Sequence, residues 1–106
     1  MQRISEVIEG AVVSGRWRPE KRSAPMSRTI YRYSNPNGIR LCPLALALSE
    51  LGLLSLPNFE SANLQAAYPH SALMLGISEE CHRNVVRAAD GCTDGDPIRI
   101  LKDAGY

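Results

Sequence analysis

The run Arg28-Thr29-Ile30-Tyr31-Arg32-Tyr33-Ser34-Asn35-Pro36-Asn37-Gly38-Ile39-Arg40-Leu41-Cys42-Pro43-Leu44-Ala45-Leu46-Ala47-Leu48 decides the fold, because two kinds of structure meet inside it. Its first part is rich in β-branched and aromatic residues, and Asn37-Gly38 favours the positive backbone angles of a tight reversal. A β-hairpin over residues 28–42 is the reading, with Ile39 and Leu41 turned inward, since an isolated hairpin is marginal in water. Pro43 then suits the first turn of a helix, where its missing N–H costs nothing. From Pro43 to about Leu51 that helix is apolar on nearly every side, which marks it as the central one.

Outward from this run the pattern is helical. Ile4, Val7, Ile8, Ala11 and Val12 fall on one face of a helix over residues 2–13, which Ser14-Gly15 brings to a stop. Residues 15–27 lack periodicity and carry Pro19 and Pro25, so they read as an irregular basic loop. Beyond Gly52 a helix is predicted over Glu60–Ala67 and a further turn over Ser71–Leu75, stopped by Gly76. Ser78 is a good N-cap for a helix with Glu79 and Glu80 in its first turn and Val85, Val86 and Ala89 inward, closed by Gly91. Asp96-Pro97 opens a last short helix with Ile98 and Leu101 inward. The predicted fold is mostly α (α+β): one domain, 1–106, of four to five short helices around a central apolar helix, with one hairpin.

The 106 residues leave room for a single core. No stretch approaches the roughly 18 to 20 apolar residues that cross a bilayer, and the polar amino terminus does not read as a secretory signal. Three cysteines, Cys42, Cys81 and Cys92, form an odd set without repeated spacing. That suits reduced thiols, so the expectation is a cytoplasmic protein with no membrane partner.

Net charge is only +1, but it is unevenly laid out. Between residues 16 and 40, seven bases (Arg16, Arg18, Lys21, Arg22, Arg28, Arg32 and Arg40) stand against one acid, Glu20. From residue 41 onward eight acids outnumber four bases. Trp17, Tyr31 and Tyr33 lie within the basic segment. Arginine with aromatics suits an acidic protein surface or a nucleic acid, whose phosphates meet guanidinium while bases stack on rings. The competing reading is that these bases pair with the protein's own carboxylates. The candidate partner-binding residues are Arg16, Trp17, Arg18, Lys21, Arg22, Arg28, Tyr31, Arg32 and Tyr33.

Other chemistry has less support. Cys42, ahead of Pro43 and near Arg40, stands where a helix start favours a thiolate, and His70 or His82 could act as its base. No local signature or orienting third residue accompanies it, so a thiol packed between hairpin and helix is the preferred reading. Cys42, His70, Cys81, His82 and Cys92 lack paired ligand spacing, and no metal or cofactor is expected. Leu75-Gly76-Ile77-Ser78, followed by Arg83, Asn84 and Arg87, suggests a helix-turn-helix. Against it, His82 occupies a position that wants an aliphatic, and Glu79 and Glu80 would face phosphate.

Tyr31-Arg32-Tyr33, Asn37-Gly38, Leu41-Cys42-Pro43-Leu44, Leu75-Gly76-Ile77-Ser78 and Val85-Val86-Arg87-Ala88-Ala89-Asp90-Gly91 together resemble a set of small bacterial and phage helical proteins. In these a hairpin leads into a helix opened by Cys-Pro, and a later helix ends in Ala-Ala-Asp. The resemblance implies a fold and carries over no site. The expected function is therefore a small non-enzymatic regulatory or inhibitory binding factor, encoded by a phage or mobile element. An inhibitor of a bacterial defence complex, of the anti-CRISPR kind, is one concrete form. The alternatives are a DNA-binding regulator and a cysteine-dependent enzyme.

Overall fold

The computed structural model describes residues 2–23, 29–53 and 70–106. The helix predicted over Glu60–Ala67, and Arg28, lie outside them. Among the described residues the chain forms five helices and a three-stranded antiparallel sheet, an α+β domain. In chain order these are α1 (Ile4–Val13), β1 (Arg18–Ser23), β2 (Thr29–Ser34), β3 (Arg40–Leu41), α2 (Pro43–Glu50), α3 (Ser71–Leu75), α4 (Glu79–Ala89) and α5 (Pro97–Asp103).

Helix α2 is the hub. Leu44, Ala45, Leu46, Ala47 and Leu48 are all without solvent exposure, and α1, α3, α4, β2 and β3 pack against it. Each fully buried leucine contributes roughly 1.5–3 kcal/mol relative to an exposed one. Its start is capped by Cys42, whose Sγ accepts the Ala45 N–H at 3.4 Å, with Pro43 in the first turn. It ends where Leu53 N–H reaches the Leu48 carbonyl at 2.8 Å, a wrap that Gly52 allows at φ +74°.

The other helices begin and end where local chemistry directs. Ser78 Oγ accepts the Cys81 N–H at 3.1 Å at the start of α4. Asp96 Oδ1 accepts the Ile98 N–H at 2.9 Å at the start of α5. Gly76 closes α3 in the left-handed conformation. Helix α1 buries Ile4, Val7, Ile8 and Ala11, yet Arg3 offers no side-chain cap. The free Ser5 N–H at its start is instead satisfied by the Tyr106 carbonyl at 2.8 Å, which the Ser5 hydroxyl also reaches at 3.1 Å.

The sheet corrects one expectation. The predicted hairpin is present, but β2 and β3 pair only at Tyr33↔Leu41 and Ser34↔Arg40. Asn35 organises their turn: its Oδ1 accepts the N–H groups of Asn37 and Ile39 at 3.0 and 2.9 Å. The long partner of β2 is β1, drawn from the segment expected to be an irregular loop, in register from Arg18↔Ser34 to Ser23↔Thr29. Strand order is β1-β2-β3, so β1 is an edge.

The composition that hid β1 is that of an edge strand. Asn35 N–H donates to the Ile39 carbonyl at 3.0 Å, so Asn35 and, by alternation, Tyr33 turn their backbone groups toward β3. Ser34 and Arg32 then turn theirs toward β1, and the register leaves Pro19 and Lys21 with backbone groups pointing outward. Proline is tolerated there because no ladder bond is lost, and with lysine it discourages a further strand.

Candidate functional site

Alternation along β2 places Tyr31 and Tyr33 on one face and Ile30, Arg32 and Ser34 on the other. Tyr33 is 7% exposed and Trp17, just after α1, is 6% exposed; both belong to the core. Neither offers a ring to a partner, which corrects the expectation for these two positions. Burial first, and the carboxylates of Asp96 and Glu9 second, push the Tyr33 phenol up to about 12. The inward turn of Tyr33 follows from its place opposite Leu41, a residue with no exposure.

Of the seven bases, five have described side chains, and three of those five are committed to the protein's own carboxylates. Arg32 is the most firmly held. One Nη donates to the Tyr31 and Ala89 carbonyls at 2.8 and 3.0 Å, and the other to Asp90 Oδ1 at 2.7 Å. Ala89 and Asp90 are the C-terminal end of α4, where carbonyls lack helical partners and the dipole is negative. Arg32 therefore ties the sheet to that helix end. Arg40 places Nε 3.0 Å from Glu20 Oε2, joining β3 to β1 across the sheet, although the N–H is not aligned on the oxygen as a hydrogen bond. Arg16 reaches Glu50 Oε1 through Nε and Nη2 at 3.1 and 3.0 Å, from the turn after α1 to the end of α2.

The other two face outward. Arg18 is exposed and forms no ion pair among the described residues. Lys21 is exposed too, with Nζ 5.5 Å from the centre of the Tyr31 ring, within range of a cation–π contact. Both lie on β1. The backbone of Arg22 belongs to the same strand, and Arg28 is outside the described residues. The cations left over are thus fewer than the basic segment suggests: Arg18 and Lys21, which the register sets on opposite faces of the edge strand, with Arg16 near Arg18 on a bridge whose arginine side chain is 59% exposed.

Cys42 is interior, and burial pushes its thiol up more than the Ala45 N–H and Arg32 pull it down. A thiol that caps α2 from the core is a packing residue, not a nucleophile open to substrate. His82 is also buried and shares a close hydrogen bond with Ser71 Oγ, while His70 is exposed. Sequence reasoning missed this Ser71–His82 link between α3 and α4; the one signal was a histidine on a helix face otherwise made of Cys81, Val85 and Ala89. Among the described residues, no cluster of three His, Cys, Asp or Glu side chains could hold a metal ion.

Helices α3, only five residues long, and α4 are joined through Gly76, Ile77 and Ser78, with Leu75, Ile77 and Val85 inward. Arg83, Asn84 and Arg87 are exposed on α4, but so are Glu79 and Glu80 at its N-terminal end. No helix among the described residues is long and apolar enough to cross a membrane. In comparisons with known proteins, no family model, no curated protein and no solved structure matches this chain.

Proposed function

We propose that this chain is a small binding factor, regulatory or inhibitory in kind, that docks onto an acidic protein surface through the cations of its edge strand. The observation that carries the reading is the sorting of the basic residues. Arg32 and Arg40 are consumed by the fold, whereas Arg18 and Lys21 stand exposed on β1 without acidic partners among the described residues. Exposed charges of one sign steer a complementary surface and raise the rate of encounter. An inhibitor of a bacterial defence complex would use such a surface, and Cys42 is taken up in the core as the cap of α2. The test is capture of a partner from the source cell's lysate by the wild-type chain and by Arg18→Glu/Lys21→Glu. Arg32 is left untouched because its loss would damage the fold. Partner capture should vanish in the variant while its circular dichroism and melting stay unchanged; capture that survives both reversals refutes the proposal.

A second reading has one specific observation in its favour, the exposed Arg83, Asn84 and Arg87 on α4. A recognition helix presents its N-terminal residues to base edges, and here those are Glu79 and Glu80. Duplex DNA retarded at low salt by the wild type, but not by Arg83→Glu/Arg87→Glu, would move the function to α4.

A further inference from the structure

A groove of about 290 Å³ lies between the turn after α1 and the turn joining β2 to β3, lined by Gly15, Arg16, Arg18, Glu20, Asn35 and Pro36 among others. Its charges are unequal in their freedom. Glu20 is held by Arg40 and Arg16 by Glu50. Arg18 is the one guanidinium on the wall with no carboxylate among the described residues. Arg16 also lines a second cleft of about 200 Å³, toward Gln2, Glu6 and Gly10, with Glu50 on its wall. Its bridge to Glu50 therefore stands between the two hollows, and with its arginine end 59% exposed, though Glu50 is only 18% exposed, the pair is partly screened by solvent.

We infer that this groove receives a carboxylate from an extended acidic segment of a partner protein, with Arg18 as its fixed partner and Arg16 as an exchangeable one. This deepens the binding role proposed above and rests on it. The carboxylate meets Arg18 directly, and Arg16, released from Glu50, closes on it from the other wall. Guanidinium suits this because its planar fork of donors matches a carboxylate edge. Charge complementarity also limits the occupant. Glu20 and Glu50 flank the two arginines, so spaced carboxylates fit where a continuous phosphate backbone would bring charge against both acids. The second cleft, carrying Glu6 and Glu50, repels an acidic chain and sets the end of the site.

The probe is a capped peptide in which glutamate alternates with glycine, with its glutamine counterpart as control, followed by amide chemical shifts of the whole chain. Shifts should gather at Gly15, Arg16, Arg18, Ser34 and Asn35 with the glutamate peptide and be absent with the glutamine one. Arg18→Glu should weaken binding about tenfold or more, as expected for losing a charge-assisted pair and gaining a repulsion. Glu50→Gln, which frees Arg16, should tighten it about two- to fivefold, the size of an exposed ion pair. If Glu50→Gln melts early, Arg16→Gln replaces it and should weaken binding by a similar factor. Shifts outside the groove, equal binding of the glutamine peptide, no gain from Glu50→Gln in a folded variant, or tighter binding of duplex DNA at the same amides would each overturn the inference. Loss of partner capture in Arg18→Glu/Lys21→Glu together with an unresponsive groove would leave the binding role standing and remove only this site.

Discussion

Strands β1 and β2 face each other over six paired positions, from Arg18↔Ser34 to Ser23↔Thr29, with Arg18, Lys21 and Arg22 on β1 and Tyr31, Arg32 and Tyr33 on β2. On β2 the special residues are used up internally. Tyr33 fills the core against Leu41, and Arg32 holds the end of α4 by the Ala89 carbonyl and the Asp90 carboxylate while also donating to the Tyr31 carbonyl of its own strand. On β1 the cations Arg18 and Lys21 stay at the surface, and Pro19 and Lys21 present the strand's outer edge. A count of charge along the sequence treats the two strands alike. The ladder separates them, because one strand has the helices over it and the other is an edge.

The largest test of this contrast is Tyr33→Ala, which empties a core position on β2 and should cost about 3–5 kcal/mol of stability in urea unfolding. A loss below about 1 kcal/mol would mean the ring is not packed as described. Next comes Arg32→Ala, which strips the last turn of α4 of its donor and should cost about 2 kcal/mol. Arg32→Lys should recover little of that, since a point charge cannot serve two carbonyls and a carboxylate at once. Full recovery by lysine would show that charge alone matters at this position.

A smaller effect is expected from pH at the α3–α4 link. Burial holds the His82 imidazole below its usual 6.5, against a weaker upward pull from Glu79. The unfolded chain therefore takes up the proton first, and this contribution is whole above about pH 6.5 and lost as pH falls. Melting temperature should drop between neutral and mildly acid buffer in the wild type and drop less in His82→Gln. Parallel curves for the two would remove His82 from the account. The smallest effect belongs to Arg18→Ala, whose stability should stay within about 0.5 kcal/mol of wild type. A marked loss there would put β1 in the same class as β2 and take away the free cation on which the proposed function rests.

The helix boundaries were legible because capping is local chemistry. Pro43, Gly76, Ser78 and Asp96 act within a turn of their own position, so a single sequence displays them. The inward face of α1 and the all-round apolar character of α2 were equally plain. Strand β1 was hidden because pairing is decided elsewhere in the chain, and because Pro19, Lys21 and Arg22 look like loop residues until the edge is known. The fate of the cations was hidden for the same reason. Arg32 and Asp90 are 58 residues apart, and no spacing rule joins them. Trp17 and Tyr33 were misplaced on the surface because aromatic rings among arginines suit a docking face and a core lid equally well. The candidate site was thus legible as a segment, while its division into structural and available charges was not.

The contact between Ser5 and Tyr106 makes the first turn of α1 and the stretch after α5 a single unit. Loosening of one segment removes the acceptor or the donors of the other, so the opening of α1 and the stretch after α5 loosen together instead of independently.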